Sequence, residues 1–210
     1  MSIVPKLFNS RKIVLNMIGK RGFNVDKYSN FTFDEIDVLF NSSNNKLSNE
    51  LAPLDIKLEN DGYSLYIKYV LNLKNRPTNI INFIQEFRDT QMNEGDTLIL
   101  ITLDKIISET LDEFLDNLYE EFKVFAQVFY IDKLMYDVTE HVLVPKHIII
   151  SEEEKSKLLN NLSINNFDQL PIILKNDPVA MYCGAKKNEV MKIIKNSETV
   201  GEYISYRYVQ

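Results

Sequence analysis

The sequence predicts an α+β protein in two parts: an N-terminal three-layer α/β domain with a mixed sheet over residues 1–138, and a small C-terminal α+β domain over residues 139–210. Three observations predict it. Apolar residues recur at helical and at strand spacing in alternating blocks through the first part. Two of the strand-like blocks are joined by Asn60-Asp61-Gly62, a hairpin signal. From about Thr139 the grammar changes to two short helix-start signals followed by two closing strand-like runs.

The first element is an amphipathic helix. At 100° per residue, Ile3, Leu7, Val14, Met17 and Ile18 fall within about 100° of one another, with Lys12 and Asn16 opposite. Gly19 and Gly22 mark its end. After a polar stretch at residues 41–49, Leu54, Ile56 and Leu58 alternate with charged residues, and Tyr63, Leu65, Ile67 and Tyr69 alternate again beyond the turn. Pro77-Thr78 opens a helix carrying Ile80, Phe83, Ile84 and Phe87. The run from Thr97 to Thr102 follows Gly95-Asp96 as a strand. The next helix starts near Ser108 to Thr110, where Thr110 and Glu113 suit a capping box, and buries Leu111, Phe114, Leu115 and Leu118. Lys123 to Ile131 reads as another strand. Helix, hairpin, helix, strand, helix, strand is the order of a small layered domain with a mixed sheet.

In the second part, Ser151 and Glu154 open a short helix presenting Leu158, Leu159 and Leu162. Asp177-Pro178 opens another, with Asp able to cap and Pro preset for the first turn, and Gly184 placed to end it. Val190 to Lys195 and Tyr203 to Val209 supply the closing strands.

Composition narrows the function classes. A chain of 210 residues with 45% apolar content, 12 Phe and 11 Tyr can bury two modest cores, and 26% charged residues is an ordinary globular value. No apolar run reaches the roughly 18 residues of a membrane span, and Pro5, Lys6 and Arg11 interrupt the start before a secretory core forms. An intracellular protein with no membrane partner is expected. The single cysteine, Cys183, rules out an intramolecular disulfide and a multi-cysteine zinc site, and reads as packing. The net charge of -6 is uneven: 9 basic and 8 acidic residues from His141 onward, against 15 and 22 before it. An acidic N-terminal part argues against independent, tight grip on a phosphate backbone. Heavy use of Asn, Ile and Lys reads as codon bias from an AT-rich genome.

Few side-chain groups suggest chemistry. His141 and His147 lie too isolated for a metal site, lacking a cysteine cluster or a third histidine, and are expected to bond locally to backbone or carboxylate. Lys186, Lys187, Lys192, Lys195 and Arg207 are interleaved with Glu189, Glu198 and Glu202, which favours a solvated mixed face over a phosphate track. Tyr182, Tyr203, Tyr206 and Tyr208 could stack on bases, fill a small core or anchor an interface.

The tail resembles the fifth common subunit of eukaryotic nuclear RNA polymerases and the shorter archaeal counterpart of that subunit, which corresponds to the tail alone. The matching stretches run from Thr139-Glu140-His141 through Leu143-Val144-Pro145 and His147 to Leu170-Pro171. They continue in Asp177-Pro178-Val179-Ala180, Tyr182, Gly184 and Lys186, then Val190 and Lys192-Ile193-Ile194. They end in Ser197-Glu198-Thr199, Gly201, Tyr203-Ile204 and Tyr206-Arg207. Together they cover about a third of the chain in colinear order. In the N-terminal part only Leu7-Phe8, Arg11-Lys12-Ile13 and Arg21-Gly22-Phe23 are similar.

This resemblance implies a non-catalytic subunit of a multisubunit DNA-directed RNA polymerase. Its N-terminal jaw domain would reach toward downstream DNA, and its C-terminal assembly domain would dock on the largest subunit. It implies no catalytic residues, cofactor or metal, other polymerase subunits as partners, and no homo-oligomer. Carried over residue by residue, the docking candidates are Tyr182, Ser197, Glu198, Thr199, Tyr203, Tyr206 and Arg207. Lys12, Lys20 and Arg21 are the candidates for a weak, sequence-independent contact with downstream duplex DNA. The weak jaw match and AT-rich composition favour a large DNA virus with its own polymerase, hence a virion or cytoplasmic virus factory, with the nucleus as the alternative.

Two rivals come from other classes. Some nucleases with a central hairpin hold Mg²⁺ with a carboxylate before it and a carboxylate-x-Lys triplet on it. Asp55 and Lys68 suit such a site, but the triplet Tyr66-Ile67-Lys68 has tyrosine where the second ligand belongs. A free-standing transcription factor or adaptor would bind DNA alone, against which the acidic N-terminal part speaks.

Overall fold

An apolar stripe makes α1 (Ile3–Lys20), which buries Val4, Leu7, Val14, Leu15, Met17 and Ile18. The computed structural model describes residues 3–44, 54–60, 62–71, 76–106, 108–197 and 201–210, in two compact units, Met1–Tyr136 and Asp137–Gln210. After α1 the backbone turns at Gly22, whose φ is 95°. Two helices absent from the expected order follow, α2 (Asp26–Ser29) and α3 (Phe33–Asn44). A reciprocal cap starts α3: Glu35 N–H donates to Thr32 Oγ1 at 3.3 Å, and Thr32 N–H donates to Glu35 Oε2 at 2.7 Å. Thus Asn41 to Asn44 of the polar stretch end a helix, and residues 45–49 lie outside the described residues.

β1 (Ile56–Asn60) and β2 (Tyr63–Val70) pair antiparallel with Asn60 opposite Tyr63, as the hairpin signal predicts. Gly62 supplies the positive φ of 89° that this tight turn needs, while Asp61 lies outside the described residues. α4 (Pro77–Gln91) begins with proline in its first turn and leads into β3 (Thr97–Thr102). α5 (Glu109–Phe122) corrects the expected cap: Ser108, not Thr110, sits at the N-cap, and its hydroxyl accepts from Leu111 N–H at 3.4 Å. Thr110 is already inside the first turn. β4 (Phe125–Tyr130) is shorter than the expected Lys123 to Ile131, because Lys123 ends α5 in the left-handed region (φ 56°) and Ile131 begins a 3₁₀ turn.

The sheet order is β1-β2-β3-β4, with β2, β3 and β4 parallel and β1 antiparallel. Two crossovers of one hand stepping in one direction put both connecting helices on the same face. Accordingly Tyr66, Val70, Leu98 and Leu100 pack with Ile80, Ile84 and Phe87 of α4 and with Leu111 and Leu118 of α5. The alternate residues point the other way, where Tyr69 Oη meets Ser10 Oγ of α1 at 3.4 Å. Helices, mixed sheet and helix give the three layers expected.

The second unit opens with a 3₁₀ turn at Val138–Glu140 and β5 (Lys146–Ile149), followed by α6 (Glu152–Leu162) with both halves of the Ser151/Glu154 capping box formed. Only Leu158 of the expected leucine trio is buried; Leu162 faces solvent, because α6 is short and touches the sheet along a single stripe. β6 (Ile172–Ile173) precedes α7 (Pro178–Cys183), where Asp177 caps two backbone N–H groups and Gly184 closes the helix at φ 77°. β7 (Val190–Ser197) and β8 (Gly201–Val209) form a long antiparallel hairpin, and the sheet runs β5-β7-β8-β6. β5 and β6, too short for a periodicity signal, complete its edges. One face packs Ile173, Met191 and Val209 on Ala180 and Cys183 of α7; the other packs Val190 and Ile150 on Leu158 of α6. Cys183 is a packing residue, as its isolation suggests.

Candidate functional site

Alternation along β8 sorts the docking candidates. Tyr203 and Arg207 share the face of Val209, while Tyr206 lies on the opposite face with Val190 and Tyr208. Tyr203 is 55% exposed and Ile204, on the face of Tyr206, is 42% exposed. Arg207 Nη1 reaches back to donate to Ile172 O at 3.0 Å, which bonds β8 to β6 by a side chain where the ladder is short. Ser197 ends β7 opposite Gly201; Glu198 and Thr199 lie outside the described residues.

Tyr182 departs from the rest of the set. It is buried, and its hydroxyl donates to Asp137 Oδ2 at 2.5 Å, while Oδ1 accepts from Thr139 N–H at 2.8 Å. Burial, then the adjoining Asp137 carboxylate, holds the Tyr182 hydroxyl protonated far above the ordinary phenol range. A buried, permanently protonated donor fastens α7 to the 3₁₀ turn and offers little surface to a partner. Asp137 escaped the sequence reading, although Asp-x-Thr is the pattern of a side chain capping its own backbone two residues on.

The two histidines bond locally, as expected. His147 Nδ1 lies 2.8 Å from Pro145 O, so that nitrogen carries the proton, whereas His141 Nδ1 accepts from Leu143 N–H at 3.2 Å. Beside them, β5 and the hairpin present a mixed apolar and basic face. Ile148 sits across from Lys192, and Ile194 lies between Lys146 and Ile204. Sequence alternation flagged none of β5, since four residues carry no period.

In the first unit, Lys12 and Lys20 project from the exposed side of α1 with Asn16 between them. Arg21 is half-buried and turns back, its Nη2 3.5 Å from Met17 Sδ. The neighbouring Arg11 was not foreseen: it is only 3% exposed, donates through Nη1 to Leu54 O at 2.8 Å, and stacks over the Phe31 ring at 4.5 Å. Desolvation lowers its pKa from the usual guanidinium value. A groove of about 620 Å³ opens over it between α1 and the α2–α3 segment, with Lys12, Asn16 and Lys20 along one rim.

Asp55 and Lys68, the pair a nuclease would use on a metal, instead form an ion pair at 2.6 Å, and Lys68 Nζ lies 4.9 Å from the Phe87 ring. The pair joins the approach to β1 onto β2. Asp96 is a second structural carboxylate that sequence reasoning missed. It accepts from Ser64 N–H at 2.7 Å and from Asn93 N–H at 2.8 Å, fixing the start of β3 against β2. Among the described residues no three histidine, cysteine or acidic side chains gather into a metal-holding cluster, and no helix is long and apolar enough to cross a membrane. These arrangements position surfaces and brace strands.

Comparison with known proteins agrees with that character. Residues 136–209 match the family model described as RNA polymerase Rpb5, C-terminal domain. Over 207 residues, 99% of this chain and 98% of the relative, the sequence is 31% identical to a Dictyostelium discoideum protein named DNA-directed RNA polymerases I, II, and III subunit rpabc1. Over 77 residues, 37% of this chain and 36% of the relative, it is 48% identical to the protein of the same name in Caenorhabditis elegans, and equally to that of Caenorhabditis briggsae. The higher identity is confined to a stretch the length of the second unit.

Proposed function

Because the chain belongs to the Rpb5 family of RNA polymerase subunits, and is therefore a non-catalytic structural subunit of a DNA-directed RNA polymerase, we propose that it docks on the largest subunit through its C-terminal part and lends its N-terminal part to the jaw around downstream DNA. The carrying observation is the relationship that spans 207 residues and so includes both units. Residues 1–138 act as the jaw domain and residues 139–210 as the assembly domain, a division supported by the split of contacts at Tyr136/Asp137.

Docking falls to the β7–β8 hairpin. Tyr203 and Arg207 meet the partner from one face, Ser197, Glu198 and Thr199 from the tip, and Tyr206 from the other face. Exposed tyrosine and arginine are the anchors interfaces favour, because each combines apolar area with directional hydrogen bonding. Tyr182 serves the same surface from inside, through its bond to Asp137. Lys12, Lys20 and Arg21 make weak phosphate contacts with passing duplex, which position without specifying sequence. As a polymerase subunit the protein works inside cells; the AT-rich composition and the divergent jaw support a viral polymerase, carried in a virion or acting in a cytoplasmic factory.

Affinity purification of the tagged chain from its native source under moderate salt tests this reading. Two very large polymerase subunits recovered in fixed ratio, cross-linked to the hairpin, is the expected result. A chain that elutes alone and binds or cuts DNA by itself would overturn it.

A further inference from the structure

The groove beside α1 has a chemistry that neither polymerase assembly nor phosphate contact accounts for. Its rim carries Lys12, Asn16 and Lys20 at successive four-residue steps of one helix, a row about 12 Å long at the helical rise of about 1.5 Å per residue. Its walls are apolar: Phe8 and Leu15 on one side, Val25, Phe31 and Ile36 on the other. At its floor lies the buried Arg11 guanidinium, bonded to Leu54 O and stacked on the Phe31 ring, which braces the apolar wall from beneath.

Each feature selects among occupants. A phosphate backbone would match the two lysines but leave the apolar walls in water. A purely apolar segment would leave the charged rim without a partner. A helix with carboxylates on one edge and apolar side chains beneath matches both the rim and the walls, since its own four-residue spacing repeats that of the rim. We propose that this groove docks an acidic amphipathic helix of a partner protein, its apolar side chains seated on Phe8, Leu15 and Phe31 and its carboxylates along Lys12, Asn16 and Lys20. The inference goes beyond the assembly reading and stands apart from it: failure of co-purification leaves it standing, and its own failure leaves the family relationship intact. It also makes the partner helix and downstream duplex competitors for Lys12 and Lys20, so that occupancy would loosen the jaw's hold on DNA.

The test uses the full chain and a labelled peptide of roughly four helical turns, with glutamates every fourth residue on one edge and leucine or phenylalanine on the adjoining face. Fluorescence anisotropy reads affinity, and amide shifts of the labelled protein read the site. Saturable binding is expected, with shifts gathered on α1, Tyr28 and Phe31. Combined Lys12→Glu and Lys20→Glu should weaken it on the order of tenfold, and a peptide with lysine in place of each glutamate should regain affinity for that variant, which also establishes that the variant is folded. Three results would each overturn the proposal: no saturable binding, shifts outside the groove, or a short DNA duplex occupying the same amides that the acidic peptide fails to displace.

Discussion

Three buried polar side chains hold joints that no apolar contact could fix in direction. Asp96 clamps β3 to β2, Arg11 ties α1 to the approach of β1, and Tyr182 ties α7 to the 3₁₀ turn at Val138–Glu140. Each has a partner distant in sequence, Ser64 for Asp96, Leu54 for Arg11 and Asp137 for Tyr182, so periodicity does not reveal it. Tyr182→Phe keeps the ring and removes the donor to Asp137, leaving a buried carboxylate short of one hydrogen bond. Urea unfolding should report a loss of about 1–3 kcal/mol, and an unchanged midpoint would mean that water replaces the hydroxyl without cost. By contrast, Tyr203, half exposed on β8, should tolerate the same substitution with no change in midpoint.

Helix caps and turns carry the next scale. The Thr32/Glu35 box that starts α3 was present in the sequence as T-x-x-E but preceded too weak an apolar stripe to be read as a helix, Ile36 being fully buried and Val38 exposed. Hydrogen bonds from the Thr32 backbone, then from its side chain, lower the Glu35 pKa below its ordinary 4.5. A carboxylate with a lowered folded pKa stabilises fully above its unfolded value, and that contribution fades as pH falls through the folded value. Thr32→Val removes the hydroxyl donor. The Glu35 carboxyl, followed by NMR titration, should then move up toward 4.5, with α3 losing amide protection.

Gly95 is the turn most sensitive to a side chain. Its φ is 90°, and a Cβ there would lie 2.3 Å from the Tyr63 ring. Gly95→Ala should cost about 1–2 kcal/mol for the backbone alone, plus a steric share that Tyr63→Ala removes. Denaturant midpoints of the single and double variants separate the two, and strict additivity would show that the Tyr63 ring swings aside freely.

At the scale of the whole chain, each unit carries its own buried apolar residues on both faces of its own sheet. Residues 137–210 expressed alone should therefore unfold cooperatively on heating, and a broad, non-cooperative melt would mean that this unit depends on the first. The docking reading is tested at the same scale. Tyr203→Ala with Arg207→Ala should reduce recovery of the large polymerase subunits severalfold while thermal unfolding changes little, since Tyr203 projects into solvent and Arg207 contributes one exposed bond. Equal losses in recovery and stability would assign the pair to the fold instead.

Legible from residue order alone were the layered first part, the Asn60 to Tyr63 hairpin, the Ser151 and Asp177 caps and the two closing strands, because each is written in periodicity or in turn chemistry within a few residues. Residue order also determined the family, through colinear identities in the tail. Which side of each strand faces out emerges from the packed fold. That splits Tyr203 and Arg207 from Tyr206, withdraws Tyr182 into the interior, turns Asp55 and Lys68 on one another, and gathers Lys12, Asn16 and Lys20 along a groove floored by Arg11. The physical reason is range. Caps, turns and amphipathic stripes are settled by neighbours in sequence, whereas burial of a polar group and the lining of a groove depend on partners that folding brings from dozens of residues away.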